Sequence, residues 1–418
     1  MSQAQAQGIK APEALATLFN GQALPSVIAA LDQEGEETRI VGGALRNRLL
    51  GRPVHEIDLA TTLVPESVMA RATAAGLRAI PTGIAHGTVT VLAGKQTFEV
   101  TTLREDIATD GRHANVLFGR DFRADALRRD FTMNALSMTR DGRLFDYTGG
   151  LADIAAGKVR FIGEPSRRIE EDYLRILRFF RFSADFGKGP LDSAGRSAAI
   201  RRRDGLARLS RERIHAELMK LLSARQAASV CADMCADGLL HPLIASVPHP
   251  ARLRRALAIV PPQDPLLRLA ALCVFLPEDA ARLRLRLRLS NAEAERLERV
   301  AAALVTLHGL NEPPKPAELR RMLFRHGRQA SRDAIILAQV DARPGHDDEW
   351  ERARNFLQDI EEPRLPFSGA DFIARGITEG RAIGAALKDV QTRWIEAGFP
   401  TDPAELARLL DESPRGMP

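Results

Sequence analysis

A small α/β head followed by an all-helical arm is the architecture that this 418-residue sequence predicts, and three observations predict it. Short β-like runs alternate with helix signals only as far as about Gly150. From Arg168 onward, Leu, Ile and Ala recur at helical spacing. The chain is also too long for one ordinary core, so two to four domains are expected. The divisions read as an N-terminal segment 1–22, expected to be partly disordered, a head 23–155, a helical neck 156–222, a body 223–312 and a tail 313–418.

In the head, 38–41 is a short β-like run ending in Gly42-Gly43, and 44–50 opens a helix. Residues 54–60 are strand-like. A proline start at Pro65 and a glycine stop at Gly76 bound a helix over 65–75. Residues 88–92 and 97–103 read as neighbouring strands joined at Ala93-Gly94-Lys95. The polar stretch 109–121 reads as a mobile loop, 128–138 as helix, and 143–147 as one more strand. In the arm, Ser210-Arg211-Glu212-Arg213 opens a helix, and Ser290 with Glu293 forms a capping box. Residues 311–316 and 361–369 are breaks.

Composition excludes several classes. Net charge is +5, compatible with an RNA partner without requiring one. Aromatic residues make up 5%, so rows of stacking rings are not the means of base recognition. Cys231, Cys235 and Cys273 are too few for a disulfide scaffold and suit a reducing compartment, the cytoplasm. Cys231 and Cys235 have no partner residues for a zinc signature and read as core. The first ten residues lack the apolar stretch of a signal peptide, and no apolar run reaches the roughly 20 residues of a membrane span, so no membrane partner is expected.

Three constellations carry chemistry. Gly42 and Gly43, between strand and helix, let backbone N–H groups approach a phosphate, and Glu56 and Asp58 lie at i and i+2, on one face of a strand. Paired carboxylates repel unless a cation lies between them, and Mg²⁺ favours such hard oxygen ligands. A phosphate cradle beside a carboxylate pair is what two-metal phosphoryl transfer needs. Glu99, in Phe98-Glu99-Val100, is a third carboxylate candidate. The second constellation is Arg128 to Leu136, where Arg129 suits triphosphate or ribose, and Asp130 with Asn134, one helical turn apart, suits a ribose hydroxyl. The third is Asp172 with Arg175: an acceptor beside a fork of donors matches the Watson–Crick edge of cytosine or adenine, each with an amino group beside a ring-nitrogen acceptor. Arg178 and Arg181 continue the spacing, although at 100° per residue Arg181 falls opposite Asp172. On these residues alone a solvated acidic strand, a charged helix start and an ordinary helix salt bridge remain open as alternatives.

Together these segments resemble the class II tRNA nucleotidyltransferase and bacterial poly(A) polymerase family of the polymerase β superfamily. The matching pieces run in order over about half the chain: Gly42-Gly43-x-x-Arg46 with Leu49-Leu50-Gly51; Glu56-x-Asp58; Phe98 to Thr102; Thr109 to His113; Arg128 to Thr132; Asp146 with Gly149-Gly150; Arg168 to Arg175; and Ser210-x-Glu212-Arg213-Ile214. The resemblance implies that Glu56 and Asp58 hold Mg²⁺ and that Gly43 and Arg46 contact the triphosphate. It gives phosphate and ribose to Arg129, Asp130 and Asn134, and the incoming base to Asp172 and Arg175. Arg178 and Arg181 complete the nucleotide pocket. It implies addition of CMP, CMP and AMP from CTP and ATP to tRNA, with a full-length loop over 104–121. Two departures stand out: Glu56 where the family usually has Asp, and Asn47 where it often has Asp.

Two rivals stay open, a poly(A) polymerase on the same scaffold and an RNA-binding protein with a dead site. The stretch Ile84-Ala85-His86-Gly87 lacks the basic segment expected of the first, and an appended phosphohydrolase has only the dipeptide His346-Asp347 to its credit. In the arm, Arg282 to Leu289 alternates Arg and Leu, a solvated helix face or an RNA-facing stripe, and Gly376, Gly380 and Gly384 are turns or phosphate contacts.

Overall fold

The computed structural model describes residues 8–84, 87–109, 114–377 and 379–412. They divide into two compact units, Met1–Glu217 with Ala224–Gln226, and Leu218–Ser223 with Ala227–Pro418.

The first unit is built on strands β1 (Ile9–Lys10), β2 (Thr38–Val41), β3 (Ile57–Thr61), β4 (Arg78–Gly83), β5 (Thr88–Ala93), β6 (Gln96–Thr102), β9 (Ser137–Met138) and β10 (Arg143–Phe145), with β7 (Arg104–Thr109) and β8 (Ala114–Phe118) as a separate pair. The eight-stranded sheet runs β1-β10-β9-β2-β3-β6-β5-β4. Among the described residues only β3 and β6 pair in parallel, which sets Asp58 beside Glu99. Helices Ala23–Leu31 and Pro65–Ala74 pack on β4 and β5. Alternation then sorts the strand residues: Val89, Val91, Phe98 and Val100 are buried, while Thr88, Thr90, Glu99 and Thr101 fall on the opposite, polar face.

The sheet departs from the sequence expectation at four places. β3 begins at Ile57, so Glu56 precedes it. β4 carries Pro81 in an edge strand, where the missing N–H costs no ladder bond, and its register shifts between Ile80 and Gly83. The stretch expected as a loop over 109–121 contains the last residue of β7 and all of β8, and residues 110–113 of its motif lie outside the described residues, as do Ala85 and His86. Residues 128–138 are not a helix but a 3₁₀ turn, Thr132–Asn134, followed by β9. Asp130 explains this, because its carboxylate accepts the N–H of Phe131 at 2.8 Å.

Helices Pro165–Glu171 and Leu174–Phe186 belong to this first unit, joined to the head by phenylalanines. Phe131 lies 4.9 Å from Phe161 and 5.2 Å from Phe182, and Phe161 stacks on Phe179 at 5.6 Å. Rings at these separations interlock edge and face over apolar area removed from water.

Every regular element among the described residues of the second unit is a helix. Its long helix Pro316–Asp341 is broken at Gly327, whose φ of 77° only glycine adopts freely. Ser290 caps the helix Asn291–Leu304 together with Glu293, as the sequence indicated. Cys231 and Cys273 are buried core residues, and burial pushes their thiols up. The tail has its own cluster around Phe372, Val390 and Trp394. Gly376 sits in a turn at φ 87°, whereas Gly380 and Gly384 lie within the helix Gly380–Glu396. Along Pro277–Leu287, Leu283 and Leu287 are buried, Leu285 is exposed, and the intervening arginines face solvent.

Candidate active site

The Gly42-Gly43 junction comes first in the chain and fixes the rest. Gly42 has φ 69° and ψ −122°, a region closed to side chains, and a Cβ there would fall 2.8 Å from an Arg129 guanidinium nitrogen. The glycine is therefore what lets Arg129 close over the start of the helix Gly43–Leu49. Arg129 is held in turn by Asp125 at 3.1 Å and by the carbonyl of Asn134 at 3.3 Å. Burial raises the Asp125 carboxyl, but Arg129 and Arg128 outweigh it and hold the group below the usual carboxylate range.

Asn134 and Asp130 meet without a helix. Asn134 donates to Asp130 at 3.0 Å and accepts from Arg46 at 2.5 Å, while Arg178 donates to Asp130 at 2.7 Å. Burial again works against the Asp130 charge, and Arg178 with the Asn134 and Phe131 hydrogen bonds keeps it ionised below its ordinary range. Arg46 is buried and lies over the Phe186 ring at 4.2 Å. Burial, with Arg181 nearby, lowers it to about 10, so it stays charged at neutral pH.

Arg46, Arg128, Arg129, Asp130, Asn134 and Arg178 line a cavity of about 470 Å³ together with Gly42, Gly43, Asp58, Asp172 and Arg175. Six arginines face three aspartates around it, which suits a polyanion. Arg128 and Arg213, which the sequence reading left without a role, are two of the six. Both stand inside motifs already singled out, beside Arg129 and in Ser210 to Ile214, and that was the available signal.

The Asp172–Arg175 pair differs from its sequence picture. Asp172 is not on a shared helix but in the break between Pro165–Glu171 and Leu174–Phe186, with φ −156°. Its carboxylate accepts from Arg213 at 2.8 Å and from the Leu174 N–H at 3.1 Å. Arg175 instead donates to Glu171 at 2.6 Å. Both nevertheless line the same cavity. The break is locked by Tyr173, whose ring covers Gly205 so closely that a Cβ there would lie 1.8 Å from a ring carbon. Arg168, from the same stretch, donates to Glu171 and to the carbonyls of Arg128 and Arg129, tying the two constellations together. Arg181 is not among the lining residues; it donates to Glu217 at 2.6 Å and lies over Phe182 at 4.1 Å.

A second cavity, about 410 Å³, shares Asp58, Arg128 and Arg129 with the first and adds Glu99, Thr88, Thr101 and Arg104. Asp58 is thus the acid common to both. It is reached by solvent, yet protein crowds the concave site, and its carboxyl is raised first by that desolvation and then by Glu99 and Glu56, against Arg129. Glu56 is exposed and lines neither cavity, but its charge reaches Asp58. Among the described residues no three acidic, His or Cys groups are already drawn together as a closed metal cage. The donor set still fits a hard divalent cation, because the oxygen ligands are present and the mutual repulsion raising Asp58 is what a cation relieves.

Comparison with known proteins gives the family. Residues 38–160 match the poly A polymerase head domain, and 196–250 match the probable RNA and SrmB-binding site of polymerase A. The mitochondrial CCA tRNA nucleotidyltransferase 1 of Mus musculus is 33% identical over 97% of this chain and 93% of its own length. The chain belongs to the CCA tRNA nucleotidyltransferase family. Another family member, the CCA-adding enzyme of Leuconostoc citreum, is 40% identical over 50% of this chain and 51% of its own. Among solved structures of the family, the Bacillus stearothermophilus CCA-adding enzyme in complex with CTP superposes with a TM-score of 0.73 at 27% identity, over 93% of this chain and 96% of that one. The family's members are RNA nucleotidyltransferases that generally need a divalent metal.

Proposed function

We propose that this chain completes tRNA 3′ ends, adding CMP, CMP and AMP from CTP and ATP with release of pyrophosphate, and that Mg²⁺ is its metal. The observation that carries the reading is Asp58, an acid standing between an arginine-lined cavity with a base-reading pair and a second cavity beside Glu99.

Asp58 and Glu99, with Glu56 close by, are the residues that would hold the metal. When bound there, Mg²⁺ supplies charge stabilisation at the reacting phosphate and favours the alkoxide of the attacking hydroxyl. Arg46, Arg129 and Arg178 hold the triphosphate through fixed guanidinium donors. Asn134 and Asp130 address the ribose hydroxyls. Asp172 accepts the amino hydrogen that cytosine and adenine share, and Arg175 donates to the ring nitrogen beside it. For this, Asp172 exchanges part of its bond to Arg213, and Arg175 part of its bond to Glu171. Uracil and guanine offer a carbonyl and a ring N–H at these places and leave both groups unpaired.

We also place the chain in the cytoplasm, where its three free cysteines stay reduced, and keep the division into head 23–155, neck 156–222, body 223–312 and tail 313–418 for limited proteolysis to test. The deciding experiment is extension of a tRNA ending at its discriminator base, with Mg²⁺ and CTP, ATP or both. Two additions with CTP and a third only with ATP support the reading. Long ladders with ATP alone give a poly(A) polymerase, and no extension leaves an RNA-binding protein.

A further inference from the structure

Arginines that face a polyanion must be held in place without spending every donor the ligand needs. A ring can do this, because it bears on the face of a guanidinium and leaves the N–H groups, which lie in the plane, for hydrogen bonds. Among the described lining residues of the first cavity Phe182 alone is aromatic, and it is 4% exposed. The guanidinium of Arg181 lies over its ring at 4.1 Å, that of Arg46 at 5.1 Å and that of Arg178 at 5.3 Å. All three are within the roughly 6 Å at which the negative face of a ring attracts a cation, and the attraction grows where water is excluded. One helical turn on, the Phe186 ring lies 5.6 Å from that of Phe182 and takes Arg46 at 4.2 Å and Arg52 at 4.4 Å. Cations gathered this closely repel: after burial, Arg181 is the next cause that lowers Arg46. The ring faces offset that repulsion. Arg178 meanwhile donates through Nε to Asp130, and Arg46 donates to Asn47 and Asn134, yet both still line the cavity.

We propose that Phe182 is a positioning residue for the nucleotide triphosphate, its ring face holding Arg46 and Arg178 in the orientation that meets the phosphates. The proposal rests on the nucleotidyltransferase reading above. It also gives a task to Arg181, which stands outside the lining and is bonded to Glu217: it acts on the site through this ring and through its charge on Arg46. Base reading stays with Asp172 and Arg175, so Phe182 governs how tightly a nucleotide is held and not which one.

The test changes the charge distribution of the ring and keeps its shape. Phe182 is replaced, by nonsense suppression, with mono-, di- and trifluorinated phenylalanine, each fluorine withdrawing electron density from the face. Equilibrium binding of inorganic tripolyphosphate and of CTP is measured without RNA. Affinity for both should fall stepwise along the series, to about 10-fold at the trifluorinated ring, the worth of re-ordering two arginine side chains. In turnover, KM for CTP should rise in step while the preference for CTP over UTP stays. The same series at Phe179, which stacks on Phe161 at 5.6 Å in the same group of rings, controls for packing and should leave binding unchanged. The proposal is overturned if affinity is flat along the Phe182 series, if the Phe179 series loses as much, or if CTP weakens and tripolyphosphate does not. Since binding is read without RNA, a chain that follows this pattern but never extends a tRNA defeats the functional reading and leaves the role of the ring standing.

Discussion

Arginine serves different ends in the two units. In the first unit, Arg175, Arg178 and Arg213 each anchor to one carboxylate, Arg46 anchors to the amides of Asn47 and Asn134, and all four still face a cavity. In the second, several arginines are consumed inside the protein. Arg252, 3% exposed, donates to the carbonyls of Ala270 and Val274 and to Asp341. Arg268 caps the carbonyls of Val260 and Leu222, and Arg328 those of Gln358 and Ile360. Arg296 joins Asp264 and Asp333 across three helices. A guanidinium offers five donors, so it can close helix ends that no small side chain reaches. Basic composition therefore says little about RNA. What distinguishes a ligand-facing arginine is its position on a concave wall with donors in excess of acceptors.

The sharpest way to break this contrast is at the acid the cavities share. Asp58→Asn should lower kcat/KM for CTP incorporation by about 10³-fold or more, exceeding the loss of a single transition-state hydrogen-bond donor, with tRNA binding retained. Retained turnover would remove Asp58 from the centre of the site. On the other side, Arg296→Met should destabilise the chain by about 3–5 kcal/mol, because Asp333 is left buried without its cation. Urea unfolding reads this, and specific activity per folded molecule should stay within about two-fold, the spread of an ordinary distant substitution. A loss of activity without a loss of stability would make Arg296 functional and erase the distinction.

A smaller effect is expected at the base-reading pair. Asp172→Asn should reduce the preference for CTP over UTP by about 10–100-fold, the worth of one good bidentate contact, as read from single-nucleotide extension. An unchanged preference would assign Asp172 only to the Arg213 bond. The least effect concerns stability. Asp58 is raised in the fold by desolvation and then by Glu99 and Glu56, so the folded state holds the proton more tightly than the unfolded chain, whose value is near 3.8. Stability then falls as pH rises from that value through the raised one, and the penalty is fully present at neutral pH. Asp58→Asn should accordingly melt slightly above its parent at pH 7, with the advantage vanishing below about pH 3.8.

Much of the site was legible because its residue types and order are informative: the glycine pair, Asp58, Arg129 to Asn134, and Asp172 with Arg175. Three things were hidden, each for a physical reason. The helical reading of 128–138 failed because Asp130 turns its carboxylate onto the next N–H, a local competition that periodicity does not register. Thr88 and Thr101 carry no charge or motif, and only the pairing of β5 with β6 brings them to Glu99. Asp172 looked like a helix residue because the interruption between Pro165–Glu171 and Leu174–Phe186 has no proline or glycine to announce it.

That interruption is kept in place by an absence. Tyr173 fits where Gly205 has no side chain, and a single methyl at 205 would have to displace an aromatic ring neighbouring the base-reading Asp172. In an exhaustive substitution survey, position 205 should therefore be as intolerant as the acids that do the chemistry. A variant there would present as an enzyme with every active-site residue intact and faulty nucleotide choice, a lesion that inspection of the catalytic motifs alone would pass over.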